Sequence, residues 1–157
     1  MLRVKVIVVD RTRSSFLKEG EAFYLERLKK YIQVEWVEVK SVKIGKGRPL
    51  EEVKVKEAKA LANKLSPGDH VIALDRTGCL YDTEKLAAWL GRLSTQAGGW
   101  VCFVIGGPLG LPREFLDQAR DILSLSRLTL THEMSRLVLL EQLYRSLTIL
   151  GGEKYHK

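Results

Sequence analysis

At 157 residues the chain has the length of a single domain, 1–157, with room for a substantial core. Its composition, 45% hydrophobic and 29% charged, excludes intrinsic disorder, and no apolar run is long enough to span a bilayer. The formal net charge of +7 points to an anionic partner, nucleic acid first.

The N-terminal "RVKVIVV", residues 3–9, alternates and then turns fully apolar, as a strand does on entering a sheet buried on both faces. It carries charges at Arg3 and Lys5 and is no signal peptide, so a cytoplasmic protein is expected. Helical spacing of Phe16, Leu17, Phe23, Tyr24, Leu28 and Tyr31 predicts a helix over 14–31. "VEWVEV" (34–39) reads as a second strand, and 51–65 as a helix closed by the breaker cluster "SPGD". Between them lies a basic stretch with Lys40, Lys43, Lys46 and Arg48 around "IGKG". It reads either as a solvated loop or as a nucleic-acid contact.

"HVIALD" (70–75) predicts a third strand followed by the turn "RTG". A helix is expected over 83–93 and a fourth strand over 100–105. A short helix (112–120) and a stretch of strand and loop (122–130) precede the final helix, 132–147. Alternating strands and helices define an α/β fold, a single domain with a largely parallel sheet and helices on both faces. Ligands in such sheets bind beyond the carboxyl ends of the strands. Leu74–Asp75 and Ile105–Gly106 are two such ends, and they are neighbours if the third and fourth strands pair.

The fourth strand runs straight into "FVIGGPLGL", 103–111. Two glycines, a proline and a third glycine make either a tight turn alone or a backbone that must approach a ligand. A phosphate cradle is disfavoured: no Lys-Ser/Thr follows the glycines, the G-x-G-x-x-G order is missing, and Pro108 removes a donor. There is no G-x-S-x-G elbow for a serine hydrolase. Glycines, backbone groups and apolar residues suit a flat heterocycle such as adenine better than a triphosphate. Cys79 and Cys102 lie far apart, and with three histidines no zinc-ligand cluster is expected. Cys102 reads as a packed small hydrophobe inside its strand.

In the final helix, Leu137, Leu139, Leu140, Leu143, Tyr144 and Leu147 fill an arc of roughly 160°, while Met134 and Val138 lie near the opposite side. Apolar character on more than one face predicts burial in both a core and a subunit interface, or a central position in a monomer. Arg136 falls inside the apolar arc. It either carries its charge out to solvent along its stem or marks a site at the helix start. The terminal "YHK" (Tyr155, His156, Lys157) could stack on a base, move a proton and meet a phosphate, or simply fray.

"FVIGGPLGL", "LSLSRLTLTHEMSRLVLLEQLYRSLTI" and the terminal "YHK" together resemble the RlmH family of SPOUT-class ribosomal RNA methyltransferases. The likeness covers the whole chain, and its C-terminal third is the most specific part. The resemblance implies a C-terminal trefoil knot, a homodimer and S-adenosyl-L-methionine as methyl donor. It implies a substrate too, a pseudouridine in large-subunit (23S) ribosomal RNA, methylated at N3 without a metal. Residue by residue, it implies that Leu74, Gly106, Leu125, Ser126, Arg127, Leu128, Thr129 and Leu130 hold the cofactor. His156, Tyr155 and His132 become candidates for the base, with a water as the further alternative. Arg136, Arg145 and Lys157 become phosphate or substrate contacts, with Arg136 near the chemistry. Lys43, Lys46 and Arg48 are expected to meet RNA. Relatives often carry an acidic or polar residue where this chain has Leu109, so no acidic role is expected there. Two rivals stay open: a non-enzymatic RNA- or ribosome-binding protein of the same fold, and a small nucleotide-binding α/β protein.

Overall fold

The computed structural model describes residues 1–155. Five strands, β1 (Arg3–Val9), β2 (Gln33–Val39), β3 (His70–Leu80), β4 (Val101–Ile105) and β5 (Asp121–Ser124), form one sheet in the order β2-β1-β4-β3-β5. Every pairing is parallel. Five helices connect or follow them: α1 (Ser15–Leu28), α2 (Leu50–Ala62), α3 (Thr83–Gln96), α4 (Arg113–Gln118) and α5 (His132–Leu150).

Strand alternation divides the apolar residues between two cores. Val4, Val6 and Val8 of β1, with Val101, Phe103 and Ile105 of β4, face a core completed by Leu28 of α1, Leu90 of α3 and Leu139, Leu140 and Leu143 of α5. Ile7, Val9, Cys102 and Val104 face the other side, against Leu61 of α2 and Phe115 and Leu116 of α4. Helices therefore cover both faces, as the sequence pattern predicts. Cys102 is fully buried, and burial pushes its thiol up to about 12, so it packs as a small hydrophobe.

α5 lies in the larger core against both α1 and α3. Two helical neighbours account for much of the wide apolar arc. A methyl group on Gly20 of α1 would stand 2.8 Å from a Leu137 methyl, so a glycine lets the two helices approach there. The start of α5 is set by Thr131, whose hydroxyl accepts from the Met134 amide at 3.1 Å. α3 starts in the same way, with Asp82 accepting from the Lys85 amide at 2.8 Å.

Several boundaries differ from the sequence expectation, and three of the differences have a local cause. α1 stops at Leu28 because Lys30 and Tyr31 bond to carbonyls only three residues back, a tightened last turn. α2 stops at Ala62 for the same reason, with Lys64 and Leu65 bonded three residues back. The "RTG" turn does not end β3. Leu123 pairs first with Leu74 and again with Cys79, so 75–78 bulge out and the strand resumes to Leu80. Asp75 stabilises the bulge by accepting from the Thr77 amide at 3.0 Å. Gly78 is required where the bulge returns, since a Cβ there would lie 2.5 Å from the Ile122 backbone.

Candidate active site

β3 and β4 pair in register from His70–Val101 to Ala73–Val104, which sets their carboxyl ends side by side. A cavity of about 200 Å³ opens there. Leu74, Asp75 and Arg76 bound it from β3, and Ile105 to Pro108 with Gly110 from the glycine turn. Leu123 to Ser126 and Leu128 to Leu130 bound it from the segment after β5, and His132 and Ser135 from α5. The walls are apolar side chains and backbone, with a few hydroxyls, the Asp75 carboxylate, the Arg76 guanidinium and the His132 imidazole.

The turn is held by its own contacts. The Gly110 amide donates to the Gly107 carbonyl at 2.9 Å, and Gly110 sits at φ +78°, where a side chain is strained. A methyl group on Gly106 would stand 2.6 Å from the Gly110 carbonyl carbon. Gly106 is thus demanded first by closure of the turn, a local reason alongside any approach of a ligand.

Residues 125–131 form an irregular segment between β5 and α5. Ser124 donates to the Ser126 carbonyl at 3.1 Å, and the Ser126 hydroxyl accepts from the Leu128 amide at 2.9 Å. These bonds arch the segment over the strand ends. Of the residues expected to hold a cofactor, Leu74, Gly106, Leu125, Ser126, Leu128, Thr129 and Leu130 line the cavity, and Arg127 does not. Arg127 is exposed, between half-buried Ser126 and exposed Leu128. Leu128 borders the mouth while 75% exposed.

Arg136 differs from both sequence readings. It is fully buried and aims neither at solvent nor into the cavity. Its guanidinium donates to the Val9 carbonyl at 2.5 Å, the Asp10 carbonyl at 3.1 Å and the Thr12 hydroxyl at 2.9 Å. Thr12 in turn donates to Glu21 at 2.6 Å. The arginine therefore ties α5 to the carboxyl end of β1 and to α1. Asp10 follows β1 at φ +66°, an uncommon backbone for a residue with a side chain.

His132 is the candidate base that lines the cavity among the described residues. Burial, helped by the Arg136 charge, holds its imidazole below the usual 6.5, so it is neutral at neutral pH. Tyr155 sits at the other end of α5, packed edge-on to Tyr144 with ring centroids 4.8 Å apart and beneath the Arg145 guanidinium. Nineteen helical residues put about 28 Å between the two ends of α5. Tyr155 therefore does not reach the cavity of its own chain, and His156 and Lys157 lie outside the described residues. Arg145 is half-buried and paired with Glu141, whereas Lys43, Lys46 and Arg48 are exposed on the β2–α2 connection.

Sequence reasoning missed Asp75 and Arg76, read there as strand end and turn, and missed Glu57 of α2. Glu57 is 4% exposed and accepts from the Val42 amide at 3.2 Å. Nothing in the helix pattern marked it, since alternating Lys and Glu read as a solvated face.

The sheet with its strand-end cavity has the architecture of a class of methyltransferases. A probable methyltransferase from Bordetella pertussis Tohama I superimposes with a TM-score of 0.56 at 17% identity, covering 93% of this chain and 96% of that one. TrmJ from Z. mobilis ZM4 gives a TM-score of 0.52 at 14% identity, over 93% of this chain and 70% of that one. At such identities the likeness is one of fold. The family described as "Predicted SPOUT methyltransferase" matches residues 2–156, and the chain belongs to it. Among relatives named Ribosomal RNA large subunit methyltransferase H, those from Anaeromyxobacter sp. (strain Fw109-5) and Bacillus pumilus (strain SAFR-032) are 43% and 37% identical. Each alignment covers 99% of this chain and 100% of the relative.

Proposed function

We propose that the protein is an S-adenosyl-L-methionine-dependent methyltransferase of large-subunit ribosomal RNA, acting on N3 of a pseudouridine. The observation that carries the reading is the cavity at the ends of β3 and β4, roofed by 125–130. It is apolar enough for an adenine ring, and its backbone groups suit the polar edge of that ring. Leu74, Gly106, Leu125, Ser126, Leu128, Thr129 and Leu130 would hold the cofactor there. When bound, the cofactor supplies a methyl group on positively charged sulfur. The relatives' names support ribosomal RNA as substrate, and the net charge of +7 agrees with a polyanion.

The chain's own residues supply alignment and a proton sink. Apolar walls exclude water and hold the reacting atoms in line, so much of the rate comes from positioning. The imide proton leaves N3 as the methyl arrives, and neutral His132 stands at the cavity to accept it. The strand order supports a C-terminal knot: the chain crosses from β4 past β3 to β5 before returning along α5.

A homodimer completes the site in this reading. Exposed Phe16 and Phe23 on α1, with Leu150 at the end of α5 and Tyr155 beyond it, leave apolar surface for a second copy. A two-fold interface along α5 carries the tail of one subunit toward the cavity of the other, where Tyr155, His156 and Lys157 would act. Such a protein works in the cytoplasm, where ribosomes are. Transfer of labelled methyl from the cofactor to ribosomes that lack this modification tests the reading. Cofactor binding without transfer to RNA would contradict it.

A further inference from the structure

A second cavity of about 340 Å³ lies against the first and shares Pro108 and His132 with it. It is within the size range of small-ligand sites, about 300–1,000 Å³. Val9, Asp10, Arg11 and Arg13 form one wall, Ser41, Val42 and Ile44 another, and Glu57 lies at its base. Three carboxylates line it, and they differ. Glu133 accepts from the Arg13 amide at 3.0 Å and the Ser14 amide at 3.1 Å. Asp10 is used up by the chain: it accepts from the Arg11 amide at 2.9 Å, the Arg13 guanidinium at 2.8 Å and the Ser41 hydroxyl at 3.4 Å. Glu57 is not. Its Oε2 takes the Val42 amide, and its Oε1 has no partner among the described residues although the residue is 96% buried. That oxygen would lie 3.1 Å from a methyl group on Gly107, at the wall between the two cavities.

Glu57 is largely buried as a residue, but this oxygen keeps surface toward the cavity and is an unpaired acceptor that a ligand N–H can take up. Exposed Arg11 and Arg13 and the basic 40–48 connection surround the mouth, so the occupant has N–H groups inside and negative charge outside. A nucleotide with a donor-bearing base fits both. We propose that this cavity is the subsite for the target base, with Glu57 Oε1 accepting a ring N–H. The inference rests on the pseudouridine reading above. Pseudouridine has two ring N–H groups where uridine has one, because its glycosidic bond is to carbon. With N3 turned toward the shared wall at His132, the extra N1–H is the group Glu57 reads. Glu57 is then a specificity residue, distinguishing pseudouridine from uridine by an acceptor that uridine leaves unpaired.

The test compares methyl transfer to ribosomal substrates carrying pseudouridine or uridine at the target position, for wild type, Glu57→Leu and Glu57→Gln. Leu removes the acceptor, and Gln has a single oxygen that cannot serve both the Val42 amide and the ring. The proposal expects the wild-type preference for pseudouridine to fall roughly ten- to hundredfold in Glu57→Leu, carried mainly by KM for the pseudouridine substrate. A preference unchanged in variants that melt and bind cofactor normally overturns it. A second arm uses the wild type alone: ligand-observed NMR with pseudouridine 5′-monophosphate and uridine 5′-monophosphate. Preferential binding of the first supports the subsite, and equal or absent binding of both overturns it. Wild type that methylates neither substrate counts against the pseudouridine reading instead, and the nucleotide arm still decides the subsite.

Discussion

A side-chain carbon on Gly106 would stand 2.6 Å from the carbonyl carbon of Gly110, closer than such atoms approach. The glycine at the end of β4 is therefore part of how the cavity is built. Gly106→Val is expected to lower the melting temperature and abolish cofactor binding together, since the backbone of Gly110 cannot yield as a flexible side chain would. Thermal unfolding and calorimetry on the same preparation check this. Lost affinity with unchanged melting would mean that the glycine serves the ligand alone.

Arg136 is predicted to be structural. Replacing it with Met removes three hydrogen bonds and leaves the buried Glu21 carboxylate beside an uncharged neighbour. Leaving a buried acceptor without its donor costs about 1–3 kcal/mol for each group. Denaturant titration of Arg136→Met is expected to show a loss of that order. A variant as stable as wild type but inactive would return Arg136 to the chemistry.

The strand–helix alternation, the two-faced cover of the sheet and the strand-end location of the cavity were legible in the sequence, because period-2 and period-3.6 patterns and parallel-sheet topology dictate them. Arg136 was not legible. Within an apolar arc, spacing cannot distinguish an arginine that reaches solvent from one whose charge is absorbed by Val9, Asp10 and Thr12, residues far away in sequence. The bulge at 75–78 was hidden for a similar reason. "RTG" has turn chemistry, and only pairing with Leu123 on both sides shows that the strand resumes.

Glu57 gives a pH signature. Burial, with Asp10 adding repulsion, holds its carboxyl above the usual 4.5. The native state thus binds this proton more firmly than the unfolded chain. Its contribution to stability is complete below 4.5 and is lost as pH rises through the native value. Glu57→Gln carries no such loss. Relative to wild type, the variant is therefore expected to be more stable at pH 7 than at about pH 4, by denaturant titration at both. An equal difference at the two values would show the carboxyl to be unperturbed.

The basic connection before α2 is expected to carry phosphate contacts. Neutralising Lys43, Lys46 and Arg48 together should flatten the dependence of log affinity on log salt by up to about 2–3 units. RNA binding measured over a salt series reads this. A slope equal to wild type would make 40–48 an ordinary solvated loop.

Methyl transfer to one nucleotide by a site assembled from two subunits is measured most directly with ribosomes lacking the modification, labelled S-adenosyl-L-methionine and mass mapping of the product RNA. Enzyme is supplied as a refolded mixture of a cofactor-dead variant, Leu74→Trp, with one lacking Tyr155, His156 and Lys157. Each homodimer alone is predicted to be inactive. The mixture is predicted to regain activity and leave one methylated pseudouridine, because a heterodimer then holds one intact cavity facing one intact tail. Heterodimers that form and transfer no methyl, beside an active wild type, would contradict the shared site. No methylated large-subunit nucleotide from wild type would contradict the function itself.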